Sequence, residues 1–349
     1  EETELYTFQG LGVTQYGLPV LGAGAPIGVE VVAAGSDAYI SLILRNNAEG
    51  SEATNIKVSL QNIEPFQVRE CGSVYGPTEN RATSGGVPNE YCPPYQEDGG
   101  YPYSTHFVSR MFPDEEIEYF WTLRAPESEK IGNMYYEQKI YYTVEFHYKV
   151  SMYQSLMAMT QAEFTRRSSE GKAVTGTSET TNGEIRIRST TNEPVRYSAD
   201  SSEGQSLLME YEISNINPAG IPKPESKVIL SLTVPDSYVS IPSDIGDWEW
   251  TLASHPSCTV SGQSCSDWLE SEYEITNTNI VDRTIIKEIN AYILRDVNDE
   301  YTIYAPLELE SGILPSVLSL PFYVRASYDY LLDGQGLGST TLGVEPRGV

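Results

Sequence analysis

Histidine is nearly missing from this sequence: His106, His147 and His255 are the only three in 349 residues. They stand far apart, and no Ser/His/Asp or Cys/His grouping is visible. General acid–base chemistry needs partners within hydrogen-bond reach. His147 reads as a solvent-facing strand residue, and His106 and His255 as surface residues beside loops. Nucleophile-elbow, P-loop, dinucleotide-binding and HExxH motifs are also lacking. The chain therefore reads as a non-enzyme with no cofactor. Positive charge is scarce as well: 22 Lys and Arg face 49 Asp and Glu, a formal net charge of −27. Such a surface repels phosphate backbones, which excludes nucleic acid and anionic membrane as partners. No stretch reaches the ~18 apolar residues of a membrane helix. The longest apolar run, near Ile313–Val324, is broken by Pro315, Ser316, Ser319 and Pro321. No N-x-[ST] sequon occurs.

What the chain does have is tyrosine, with 25 against 8 phenylalanines and 4 tryptophans. Tyr, Thr, Val and Ile suit a pleated, half-buried surface. Period-two alternation recurs in Ile40–Asn46, Ile56–Asn62, Ile140–Val150, Glu184–Thr190 and Val228–Val234. Side chains alternate across a strand, so each segment offers one face to a core and the other to water. Gly, Pro, Asn and Asp punctuate these runs at short intervals, the rhythm of a β-sandwich. Met152–Phe164 and Ile280–Leu294 are compatible with either a helix or a strand.

An internal repeat organises the whole. Residues 42–60 and 211–230 both run strand, Asn (Asn46, Asn215), Gly-containing turn (Gly50, Gly220), then apolar strand. A strand closing on Ala-Pro (Pro126, Pro306) follows in each. Last come Tyr142, Val144 and Tyr148 against Phe322, Val324 and Tyr328. The expected fold is all-β: two tandem immunoglobulin-like sandwiches with extended ends. Residues 1–24 form an N-terminal extension and 25–165 the first sandwich. Residues 166–182 are a Ser/Thr/Gly-rich linker, 183–333 the second sandwich and 334–349 a C-terminal tail.

The four cysteines lie between the first and second landmarks of each copy, as Cys71/Cys92 and Cys258/Cys265. Neither pair has CxxC spacing, so two disulfides in an oxidising compartment are expected rather than a metal site. A Cys71–Cys92 bond would contribute about 3 kcal/mol by closing a Gly/Pro-rich loop. The acidic run Asp296, Asn298, Asp299 and Glu300 is a weak calcium candidate without the 12-residue loop pattern. Tyr95, Tyr101, Tyr103, Trp248 and Trp250 form the alternative site, an aromatic platform for sugars, as in an adhesin. The N-terminal Leu5, Tyr6, Phe8, Leu11 and Val13 form a candidate assembly strand for a neighbour's sheet edge.

The opening formed by Leu42, Asn46, Gly50, Ala53, Ile56, Val58 and Leu60 resembles archaeal surface proteins with immunoglobulin-like repeats of the S-layer or CARDB-like kind. So do Trp121, Leu123, Ala125 and Pro126, and the closing Tyr142, Val144, Phe146 and Tyr148. The resemblance implies location and role by analogy: a structural subunit of an extracellular filament, pilus-like thread or surface layer. Its partners would be copies of itself, with glycans or cations as further ligands. The start at Glu1 reads as a mature terminus after signal-peptide removal, which places the protein at the cell surface.

Overall fold

Each segment of period-two alternation in the sequence becomes strand. The computed structural model describes residues 11–16, 29–46, 52–75, 105–132, 134–181, 183–201, 203–250, 259–260, 262–265, 267–269, 283–297, 299–332 and 339–346. The first half contains β1 (Leu11–Tyr16), β2 (Val29–Ala33), β3 (Asp37–Asn46), β4 (Ala53–Gln61), β5 (Gln67–Tyr75), β6 (Thr105–Met111), β7 (Glu116–Arg124) and β8 (Tyr136–Thr160). Helix α1 (Gln161–Ser169), β9 (Thr177–Thr180), β10 (Ile185–Ser189), β11 (Val195–Tyr197) and β12 (Asp200–Ser201) follow. The second half continues with β13 (Gln205–Asn215), β14 (Gly220–Pro222), β15 (Lys227–Thr233), β16 (Val239–Ser240), β17 (Glu249–Trp250), β18 (Thr259–Val260) and β19 (Gln263–Ser264). It ends with β20 (Thr284–Asn290), β21 (Glu300–Leu309), β22 (Gly312–Ile313), β23 (Val317–Leu332) and β24 (Ser339–Glu345). The class is all-β.

Each half supplies one four-stranded sheet, ordered β1-β3-β7-β5 in the first and β10-β13-β21-β16 in the second. Their opposing sheets are not separate. They merge into one sheet of twelve strands in which β8 and β23 lie side by side. The two long strands pair antiparallel from Val317↔Met159 to Leu332↔Val144. On its other edge β8 pairs with β4, as β23 does with β15. Tyr148 and Tyr328, matched by the repeat, stand directly opposite each other in this ladder. The two copies thus meet antiparallel, like strand against like strand, at their closing strands.

Burial explains why these strands are long. Along β8 every second residue from Ile140 to Ala158 is buried, and β23 alternates likewise through Phe322, Val324, Ala326, Tyr328 and Tyr330. One continuous apolar cluster runs through both halves. The Tyr148 and Tyr328 rings lie 6.1 Å apart and the Phe146 and Tyr330 rings 5.7 Å apart, a run of aromatic contacts along the seam. The repeated asparagines are buried pins. Asn46 Nδ2 donates to Met111 O at 3.1 Å, and Asn215 Nδ2 to Gly220 O at 3.1 Å. Asn215 Oδ1 also accepts from Tyr330 O–H at 2.7 Å. Each therefore satisfies backbone that a strand end would otherwise leave unpaired.

Several expectations are corrected. Residues 166–182 are not a free linker: α1 ends there, and β9 pairs with Ser155–Met152 of β8. Thr160 stops the strand and caps the helix, with Glu163 N donating to its Oγ1 at 3.3 Å, which resolves the ambiguous Met152–Phe164. Ile280–Leu294 resolves into β20 and a 3-10 turn at Ala291–Leu294. The 334–349 tail contains β24, which pairs with both β8 and β2 and buries Leu342 and Val344. The Ala-Pro landmarks are not equivalent: Pro126 follows β7, whereas Pro306 lies inside β21 opposite Leu208.

Candidate functional site

Leu11 and Val13 sit in β1, which pairs within its own chain from Leu11↔Asn46 to Tyr16↔Ser41. The edge of β3 is thus filled from within the chain, and β1 itself becomes the terminal described strand of that sheet. Leu5, Tyr6, Phe8, Cys92, Tyr95, Tyr101, Tyr103, Cys258 and Asn298 lie outside the described residues. Neither Cys71 nor Cys265 is a free thiol. Of the sugar platform, one side chain lies among the described residues, that of Trp248. Trp248 is buried, and its Nε1 donates to Tyr304 O at 2.8 Å, so its ring packs the core instead of facing a ligand. Of Trp250 the backbone in β17 is described. Asp296, Asp299 and Glu300 are exposed, and no cluster of metal-ligating side chains forms among the described residues.

His106 is another correction. It is buried against Trp121 at 4.9 Å between ring centroids, with Nε2 3.4 Å from Phe120 O. It serves the core of the first half.

The seam brings together a group that no local motif announces. Residues directly opposite in a ladder share a face, as do residues two apart on one strand. His147 lies opposite Asp329, and Ser327 precedes Asp329 by two. All three therefore project from the outer face of the large sheet. His147 Nδ1 is 2.9 Å from Asp329 Oδ1, and Ser327 Oγ is 2.9 Å from His147 Nε2. A carboxylate can only accept, so the Nδ1–H donates to Asp329 and the Nε2 lone pair faces the Ser327 hydroxyl. The His147 side chain is 17% exposed and Asp329 51%. The expectation that no Ser/His/Asp grouping exists is thus overturned. The i, i+2 spacing of Ser327 and Asp329 was visible; the register that sets His147 beside them was not.

A pocket of about 570 Å³ opens over Ser327, His147 and Asp329. Its far side is formed by Ile229, Trp268 and Gln263. Ile229 and Trp268 belong to a small second core with Val260, Cys265, Leu269 and Ile286 on this face. Beside the group, Glu145 receives Lys223 Nζ at 2.8 Å and Lys57 Nζ at 3.3 Å. Burial alone would raise the Glu145 carboxyl, but the two ammonium groups outweigh it and hold its pKa below the usual value.

No family model matches the chain. No curated protein matches it either. Among solved structures it is similar to the pilus backbone RrgB of Streptococcus pneumoniae, at 8% identity over 89% of this chain and 93% of that one, with a TM-score of 0.22. A full-length structure of the RrgB pilus protein gives 6% identity over 89% and 67%, with a TM-score of 0.23. The collagen adhesin of S. aureus gives 10% identity over 96% and 91%, with a TM-score of 0.11. Likenesses of this degree carry no argument about what the chain does.

Proposed function

We propose that the chain is a structural subunit of a cell-surface filament or layer, assembling with copies of itself through the edge of β1 that pairs with no strand among the described residues. The observation that carries this reading is a comparison of the edge strands of the two four-stranded sheets. An unpaired edge templates association, and proteins blunt it with charge, bulges or short strands. In the first four-stranded sheet, β5 carries Arg69 and Glu70 and an irregular register between Val68 and Glu70. In the second, β10 carries Arg186 and Arg188, and β16 has two residues. The sequence of β1, LGVTQY, contains no charge, no proline and no bulge, and it stands at the end of its sheet.

Electrostatics favours the same edge. Copies bearing −27 each repel one another, and an uncharged strand joined by backbone hydrogen bonds is where that repulsion is least opposed to contact. A continuous filament requires β1 of one copy to meet a different edge of the next, because β1 on β1 closes a two-fold dimer. The resemblance to archaeal surface proteins and the paired cysteines, proposed as Cys71–Cys92 and Cys258–Cys265, support an extracellular setting. The test is the double substitution Thr14→Lys with Gln15→Lys, which charges both faces of β1. Loss of assembly with an unchanged melting temperature is expected; assembly that persists removes β1 from the account.

A further inference from the structure

We infer that Ser327 is a reactive serine, able to take an acyl group from a small uncharged ester with His147 as its base. This reaction does not depend on the assembly reading. Three features carry it. The hydrogen-bonded chain runs from Ser327 Oγ to His147 Nε2 and from Nδ1 to Asp329, each step 2.9 Å, the order in which a base is held to a nucleophile and oriented by a carboxylate. Ser327 is itself buried, at 2% exposure, and a reagent reaches it only through the pocket of about 570 Å³ that it lines. That pocket is graded in chemistry, its lining running from the buried Ile229 and Trp268 to Glu225 and the Lys227–Glu288 ion pair.

The grading selects the substrate class. Ile229, directly opposite Ser327 on β15, offers an apolar surface to an acyl chain. Lys227 pairs with Glu288, and Glu225 in the lining disfavours an anionic acid portion. On its other flank Ser327 faces Lys149 in the β8 ladder, on the same side of the sheet.

The step balances. Ser327 Oγ adds to the carbonyl carbon while its proton passes to His147 Nε2, and the carbonyl electron pair moves onto oxygen. Collapse breaks the bond to the alcohol, which leaves with the proton from Nε2. Water enters by the same route, its proton passing through Nε2 to Ser327 Oγ as the acid departs. Asp329 acts as a positioning residue, holding the Nδ1–H tautomer.

The test uses the full chain and a fluorophosphonate probe, with the adduct located by peptide mass spectrometry. Expected is a single adduct on Ser327, lost in Ser327→Ala and slowed at least about 10²-fold in His147→Ala. Asp329→Asn, which alters a half-exposed side chain and preserves its shape, should slow labelling about 10²-fold or more. Turnover of p-nitrophenyl butyrate should lose kcat in that variant with KM nearly unchanged, which a purely structural Asp329 would not produce. An unlabelled Ser327 where a known serine hydrolase labels fully, or a labelling rate indifferent to His147→Ala and Asp329→Asn, overturns the inference.

Discussion

At the scale of residues, the asparagines of the repeat and the buried tyrosines carry measurable consequences. Asn215→Ala removes the partner of Gly220 O and of the Tyr330 hydroxyl, all inside the core. Leaving buried polar groups unpaired costs about 1–3 kcal/mol each, so urea denaturation should show a loss of roughly 2–4 kcal/mol. Burial pushes the Tyr211 hydroxyl far above the ordinary phenol range; for Tyr328 and Tyr330 burial acts first and the nearby Glu184 adds to it. Burial and Tyr238 push Tyr197 up to about 12. Unfolded phenols ionise near pH 10, while these stay protonated in the native state. The native state then holds more protons, and stability must fall as pH rises past about 10. Spectrophotometric titration should show these tyrosines ionising together with unfolding, not before it. On the acid side the depressed Glu145 contributes above its ordinary value of 4.5 and loses that contribution as pH drops below it.

Among elements, the strands were largely legible and their partners were not. Alternation located β3, β4, β8, β10 and β15 because one face of each is buried and the other wet. Nothing local says that β8 should pair with β23 across the 156 residues that lie between Thr160 and Val317, since either strand could pair with any edge of compatible pattern. The same gap hid Ser327, His147 and Asp329, whose proximity is a fact of register alone. The C-terminal residues misled for a different reason. Their glycines suggested a tail, but Thr340, Leu342 and Val344 alternate inward, and β24 is the described partner of β2. Truncation before Ser339 should therefore accelerate amide exchange in Val29–Ala33 and Tyr136–Tyr141 while leaving β13 and β21 protected. Equal protection in the full-length and truncated chains would show that β24 holds nothing.

For the whole molecule, the shared sheet replaces the picture of two beads on a linker. One apolar cluster spans both halves, so neither can unfold without exposing the seam faces of β8 and β23. Calorimetry should show one transition with equal calorimetric and van't Hoff enthalpies. Two transitions separable by core substitutions in either half would mean the seam is weak. A rigid double sandwich is also a suitable brick for a filament, because force or packing applied at β1 passes through the common sheet into the second half. Electron microscopy of the purified full chain, beside the Thr14→Lys/Gln15→Lys variant, tests this most directly. The account predicts extended polymers from the unaltered chain and single particles from the variant. Monodisperse particles from both, or polymers from both, would contradict it.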